Sequence, residues 1–585
     1  MLTNPLLQSN PMSQDLLTQI YNAFDPFQPL DAEKDQDLYV DFEKARGNAK
    51  VERDLGRKIE RSQNKPLAQL YAGHRGTGKS TELLRLKKYL EERKCHVVYF
   101  AADEGDIDPE DAQYTDILIA CTRHLLENLK QADRRIFLPW LEARWQDLID
   151  LALTEIKFDD LKLEIGAKAN SSVSELFAKL STSIRAIPSE RQKIREKLNA
   201  HTVTLLQTLQ AFIADAKKKL PDGKEQLVVI VDNLDRIVPI RRADGRTNHE
   251  EIFIDRAEQL RGLGCHVIYT MPIAISIAYS RANDLANLYE LEPSILTVIA
   301  TNTPDGQPYT EGRQRLQDLI VKRVHRHAPD AKLFPDVFES ESVLLRLCEM
   351  SGGHVRDLLR LVRTAFDAID ELPLTKEAVD RAITGTRDTY RRSVEEEKEW
   401  QVLAKVSRDK SLSGEATIYR KLLFSRCILQ YAFLGANEHG EVDLQIWYDV
   451  HPLVRGVKQF DDAVKSIVME TQQISESNVP LDKIQIYGNN ENVYVNIQEI
   501  KHPLLSADAE LINVMDEAEK LYAQMIDAEN YLEASLIARD IHQMYERVAD
   551  SLKMKQDSDE YAEAIQWSSY WKIRQQTNER RIRSN

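Results

Sequence analysis

The sequence predicts an α/β fold: a parallel sheet with helices on both faces and a helical lid, then an α+β module and a C-terminal helical region. Three observations carry that prediction. From Leu67 to about Pro308, short apolar runs alternate with amphipathic stretches. A glycine-rich turn, Gly73–Ser80, stands between one such run and a helix. A second apolar run, Leu227–Val231, ends in Asp232.

The strands are expected at Leu67–Ala72, His96–Phe100, Leu227–Val231, His266–Thr270 and Ile295–Ala300, with helices over Asp116–Leu129 and Thr202–Leu220. Residues 1–65 are polar with scattered anchors in Phe24-Asp25-Pro26-Phe27 and Leu38-Tyr39-Val40, and read as a linker packing on the domain that follows. That domain spans 66–310, with a charged helical insertion at about 131–200. Beyond Pro308 the strand pattern stops. Residues 311–390 form a helical lid, with Glu341–Arg387 as its compact part, and Val394–Ser413 reads as a charged linker. Residues 414–503 mix a helix, Ile418–Tyr431, and a Trp447–Arg455 segment with a hairpin, Lys483–Val495, turning at Gly488-Asn489-Asn490. Residues 504–585 are amphipathic helix.

With 585 residues the chain has room for about three to five domains. Lys and Arg number 78 against 94 Asp and Glu, a formal net charge of −16. A field of that sign repels phosphate, so neither nucleic acid nor an anionic membrane is favoured as a whole-surface partner. The five cysteines show no metal-ligand or disulfide spacing and read as buried thiols in a reducing compartment. Met1–Gln14 lacks the pattern of a signal peptide, and Gly262–Ser280 reads as a buried strand plus loop rather than a span. The protein is expected to be cytoplasmic.

Gly73-His74-Arg75-Gly76-Thr77-Gly78-Lys79-Ser80 fits GxxxxGK[ST] in full, and Thr81 continues it into the helix. Glycines let the backbone curl so that successive N–H groups point at one phosphate. Lys79 supplies a cation to the β and γ oxygens, the Ser80 hydroxyl is a Mg²⁺ ligand, and the helix start adds its dipole. Asp232 emerges at the carboxyl end of a buried strand, where α/β sheets place ligands, and serves the same Mg²⁺. Asn233 follows it in place of the glutamate that many P-loop ATPases use to polarise water. Asp235 is the next carboxylate and the candidate general base. ATP and Mg²⁺ are the expected ligands.

Over roughly residues 30–390, the order of P-loop, acidic strand end, further strand and helical lid resembles the AAA+ ATPases, in the branch of the origin-recognition initiators and the STAND/NACHT-type signalling ATPases. That resemblance implies that Thr270 is the sensor 1 residue and that Arg356, in Gly352-Gly353-His354-Val355-Arg356, is sensor 2. It implies an arginine finger acting across subunits, for which Arg281 is the candidate. It also implies that 414–503 is a winged-helix-like domain. Asp232–Asp235 resembles the KAP and STAND groups more than standard AAA+ unfoldases, which implies slow hydrolysis. Ala72–Leu83 is similar to the corresponding stretch of bacterial antiphage and mobile-element ATPases.

The function expected from these readings is an ATP-binding and slowly hydrolysing regulatory switch. It would form a homo-oligomer and control an effector protein, with antiphage defence as a setting. The alternative is a DNA-acting ATPase of the initiator or transposition-regulator type. The hairpin at Lys483–Val495 carries little positive charge, so DNA is the less favoured partner.

Overall fold

In the computed structural model, five parallel strands form the central sheet: β1 (Ala68–Gly73), β2 (Cys95–Ala101), β3 (Gln226–Asp232), β4 (His266–Pro272) and β5 (Ser294–Leu296). Their order is β2-β3-β4-β1-β5, so β4 lies between the P-loop strand and the acidic strand. The structure describes residues 11–62, 65–132, 188–218, 220, 223–242, 246–277, 284–412, 416–436, 442–476, 484–489 and 492–497, with isolated helical positions between 522 and 575.

These strands are apolar on both faces because helices cover both. Val228 and Ile230 face Leu83, Leu86 and Leu90 of the P-loop helix (Lys79–Glu91). Val229 and Val231 face the opposite core, with Leu118 and Leu125 of helix Tyr114–Ala132 and Phe212 of helix Thr202–Lys217. Register puts Ala101 beside Asp232, and Gly73 beside both Pro272 and Leu296. The carboxyl ends of all five strands therefore meet at one edge.

The helical subdomain that follows the sheet in the chain consists of helices Thr310–His327, Glu341–Met350, Val355–Phe366 and Lys376–Arg392. Helix Val355–Phe366 buries Leu358, Leu361, Val362 and Ala365 along one stripe. Gly353, just before it, has φ +76°, and a Cβ there would lie 1.7 Å from the Ile299 carbonyl oxygen. Only glycine lets the subdomain come that close to the chain leaving β5.

Several elements differ from the sequence expectation. The strand expected over Ile295–Ala300 ends at Leu296, because the backbone beyond it turns to other partners. Val298 N–H donates to Gln430 O (3.0 Å) and Ala300 N–H to Ala45 O (3.2 Å). The supposed linker Val394–Ser413 holds a helix, Glu397–Asp409, whose Trp400, Leu403, Ala404 and Val406 are buried, together with Glu399, which pairs with Lys421. The helix expected over Ile418–Tyr431 stops at Phe424. Arg426 takes φ +65°, and Ile428–Ala436 becomes strand β6, paired antiparallel with β7 (Val442–Val450). An unbroken apolar run such as Cys427–Leu429 fits a buried helix or a buried strand equally well by periodicity.

The chain divides at Val468 into two compact units, so the boundary falls inside the span 414–503. The β6–β7 hairpin lies in the first unit with the sheet. In the second unit Ile484–Asn489 and Asn492–Ile497 form an antiparallel hairpin in which Gly488 and Asn489, expected in the turn, pair with Val493 and Asn492, and the Tyr522 and Trp571 rings meet edge-on at 4.9 Å. Of the helical insertion, residues 133–187 lie outside the described residues. Its end, Pro188–Ala200, is helix, with Arg191 and Arg195 paired to Asp108, Asp111 and Asp116. All five cysteines are buried thiols. Among the described residues no helix is long and apolar enough to cross a membrane.

Candidate nucleotide-binding site

The glycine turn after β1 does what its composition demands. Gly76 and Gly78 take φ +100° and +102°, which side-chain-bearing residues rarely adopt. The helix begins at Lys79. The Lys79 ammonium turns back into the loop, donating to Gly73 O (2.8 Å) and His74 O (2.9 Å), and pairs with Asp235 Oδ2 at 2.9 Å. A Cβ on Gly76 would lie 2.7 Å from His354 Cε1 and 2.8 Å from Arg356 Cβ, so the loop is pressed directly against the start of helix Val355–Phe366.

Asp232 sits at the end of β3 with 1% exposure. Tyr99 from β2 donates its hydroxyl to Asp232 Oδ2 (2.8 Å), the Asn233 N–H donates to Oδ1 (2.7 Å), and the Ser80 hydroxyl is a further hydrogen-bond partner. Burial, reinforced by the charge of Asp235, raises its carboxyl above the ordinary value. A divalent cation would relieve that penalty, and a serine hydroxyl beside a buried carboxylate at a P-loop is a donor set that fits Mg²⁺. Asn233 adopts φ +64°, and its amide donates to Asp103 (2.7 Å), which also pairs with Arg236.

A cavity of about 530 Å³ opens in front of these groups. Gly76–Thr81, Asn233, Asp235 and Arg236 line it, with Tyr99 and Glu104 beside them and Val355, Arg356 and Leu359 opposite. The cations there crowd one another. Burial, with the charges of Arg75, Arg236 and Arg426, pushes the Arg356 guanidinium down to about 10. Burial and Arg236 also lower Arg75. Such a cluster is relieved by a polyanion such as a triphosphate.

Residues 54–243 match the KAP family P-loop domain. The chain carries a P-loop NTPase domain. That stretch contains both Gly73–Ser80 and Asp232–Asp235, and covers about a third of the chain. No curated protein matches the chain.

The NTPase site brings together Lys79, Ser80, Thr81, Asp235 and Arg356, while Asp232 stands just behind Ser80 and Tyr99. Thr270 is placed differently. It is fully buried, accepts from Leu234 N–H (2.9 Å) and donates to Val231 O (3.3 Å), so it braces the backbone around Asp232 and does not line the cavity. His74 also points away: its Nε2 accepts from Gln430 N–H (3.0 Å). Arg281 lies outside the described residues.

Other residues of the site gave no sequence signal. Arg46 is buried and donates to the Thr77 carbonyl of the loop (2.6 Å). Glu104, in the turn after β2, lines the cavity beside Asn233. A strap from Phe24 to Phe42 crosses the mouth. Leu30 N–H donates to Thr81 Oγ1 (3.2 Å), Arg356 Nε donates to Pro26 O (3.2 Å), and Arg326 pairs with Asp35 and Asp37. The anchors Phe24–Phe27 and Leu38–Val40 were legible in the sequence as packing residues, and their place over a ligand cavity was not.

Proposed function

We propose that this P-loop NTPase binds ATP with Mg²⁺, hydrolyses it slowly, and passes its nucleotide state through the helical subdomain and the β6–β7 hairpin to a partner protein. One observation carries the reading. Three successive P-loop residues are each bonded to an element outside the sheet: His74 to the hairpin through Gln430, Arg75 O to His354 Nε2 (2.9 Å), and Gly76 O to Arg356 N–H (3.1 Å). Whatever rearranges the loop pulls on all three.

The connection continues inward. His354 Nδ1 lies 2.9 Å from Asp357 Oδ2, and Tyr390, Arg426 and His451 surround the same carboxylate. Burial alone would raise Asp357, but His354 and Arg426 outweigh it and hold it well below the usual range. A buried charged network of this kind couples the groups that share the carboxylate.

In the proposed reaction the backbone amides of Gly76–Lys79 hold the phosphates and Lys79 leaves Asp235 for the β and γ oxygens. Ser80 and Asp232 would hold Mg²⁺, which supplies charge neutralisation on the phosphates. Asp235, released from Lys79, accepts the proton of the attacking water. Since Asn233 is tied to Asp103, no carboxylate occupies the position after Asp232, which accords with slow turnover. Arg356 closes the site from the helical subdomain. The test is ATP turnover of the full chain against Lys79→Ala and Asp232→Ala, with hydrogen exchange over 428–436 with and without ATP. Turnover no higher than in both variants, or an unchanged hairpin, would sink the reading.

A further inference from the structure

Helix Thr310–His327 presents three cations toward the strap in less than two turns, and they are used differently. Lys322 donates to Tyr39 O (2.7 Å), and Arg326 binds Asp35 (2.7 Å) and Asp37. Both are spent on holding the strap. Arg323, between them, is 5% exposed and lines the cavity. Its Nη1 donates to Leu319 O one turn back (3.2 Å), and among the described residues no carboxylate pairs with it. Asp35, the acid that acts on it at longer range, is already bound to Arg326.

The surroundings of Arg323 differ from the phosphate end. Lys79, Arg75, Arg236 and Arg356 already supply cations there. Leu319 lies one turn back on the same helix, and Leu38 and Val40 of the strap, which Lys322 and Arg326 tie to that helix, line the same cavity. A buried fork of N–H donors beside apolar side chains suits a flat heterocycle whose edge carries acceptors, and the other buried guanidinium of the cavity, Arg46, is already engaged with the Thr77 carbonyl. The fork has one backbone acceptor in Leu319 O, and a base nitrogen or carbonyl would supply a further one.

Resting on the nucleotide reading above, the geometry points to Arg323 as the side chain that reads the base of a purine nucleoside triphosphate, with the strap and Leu319 enclosing the ring. The base is therefore selected by the N-terminal strap and the helical subdomain, and the triphosphate by the P-loop. Closing the strap and seating the base are one event.

The experiment measures binding of Mg-ATP, of inorganic tripolyphosphate, and of the 1-, 3- and 7-deaza analogues of ATP to the full chain, as wild type, Arg323→Met and Lys79→Ala. The wild type should bind ATP about tenfold or more tighter than at least one deaza analogue, the size of one lost charge-assisted hydrogen bond. Arg323→Met should bind ATP and that analogue alike, and tripolyphosphate as the wild type does, which also shows that the variant is folded. Equal wild-type affinity for ATP and all three analogues overturns the assignment, as does a parallel loss of ATP and tripolyphosphate in Arg323→Met. A wild type that binds neither Mg-ATP nor tripolyphosphate overturns the nucleotide reading itself, and ATP affinity unchanged in Lys79→Ala overturns its placement at the P-loop and the assignment with it.

Discussion

The Lys79 ammonium lies 2.9 Å from the Asp235 carboxylate, and both side chains are nearly buried, at 4% and 6% exposure. The loop lysine and the candidate base thus neutralise each other until a triphosphate competes for the lysine. Removing one member strands the other. Lys79→Ala should lower stability of the nucleotide-free protein by about 3 kcal/mol, and Asp235→Ala in the same background should recover much of that loss. Denaturant titration of the two single variants and the double variant measures the coupling; additive losses would show that the pair does not interact.

Three carboxylates line the cavity, and with Glu82 bonded to the Tyr39 hydroxyl, Asp235 and Glu104 are the candidates for positioning a water. Asp235→Asn is expected to reduce kcat by about a hundredfold with ATP affinity largely kept, and Glu104→Gln by less than about tenfold. Single-turnover hydrolysis distinguishes them, and the reverse ranking moves the role to Glu104.

Tyr99 orients Asp232 from the neighbouring strand. Chelation should stop hydrolysis, with Mg²⁺ restoring it. Tyr99→Phe should raise the Mg²⁺ concentration needed for half-maximal turnover by a few-fold to about tenfold. An unaltered Mg²⁺ dependence would mean that the hydroxyl does not position the carboxylate.

Gly353→Ala places a methyl group 1.7 Å from Ile299 O at φ +76°. The helical subdomain must then shift off the sheet, at a cost of about 3 kcal/mol. Thermal unfolding should show a clearly lowered Tm together with weakened ATP binding, because Arg356 and His354 move with that subdomain.

Two buried groups give opposite pH signs. Burial depresses His249 to about 4, so between about 6.5 and 4 the unfolded chain takes up a proton that the folded chain does not. Stability relative to His249→Gln should therefore fall as pH drops through that window, by up to about 3 kcal/mol. Burial raises Glu82 to about 7, so the folded chain holds a proton from about 4.5 to 7 that the unfolded chain has released. Stability relative to Glu82→Gln should fall as pH rises through that window. Denaturant midpoints across the pH range check both slopes, and flat differences would contradict them.

The parts of the fold legible in the sequence are those whose signal is local. β3 and the P-loop helix were readable because burial on two faces leaves an unbroken apolar run and burial on one leaves a helical period. The β6 strand was misread because Cys427–Leu429 satisfies both periods, and its choice rests on Arg426 breaking the helix and on Val298 offering a backbone partner. The Glu397–Asp409 helix was missed because its charges dominate the composition while one stripe is buried.

By itself the sequence determined that a nucleoside triphosphate site exists here, since Gly73–Ser80 and Asp232 need only a strand, a turn and a helix in series. The tertiary structure decided how that site is completed. Arg46, Glu104, Arg323 and the strap reach it from separate segments, and His74 meets a backbone N–H 356 positions away. Contacts at such separations leave no periodicity in either partner. They are set by how the helical subdomain and the hairpin pack onto the sheet, and packing of that kind is a property of the folded chain as a whole.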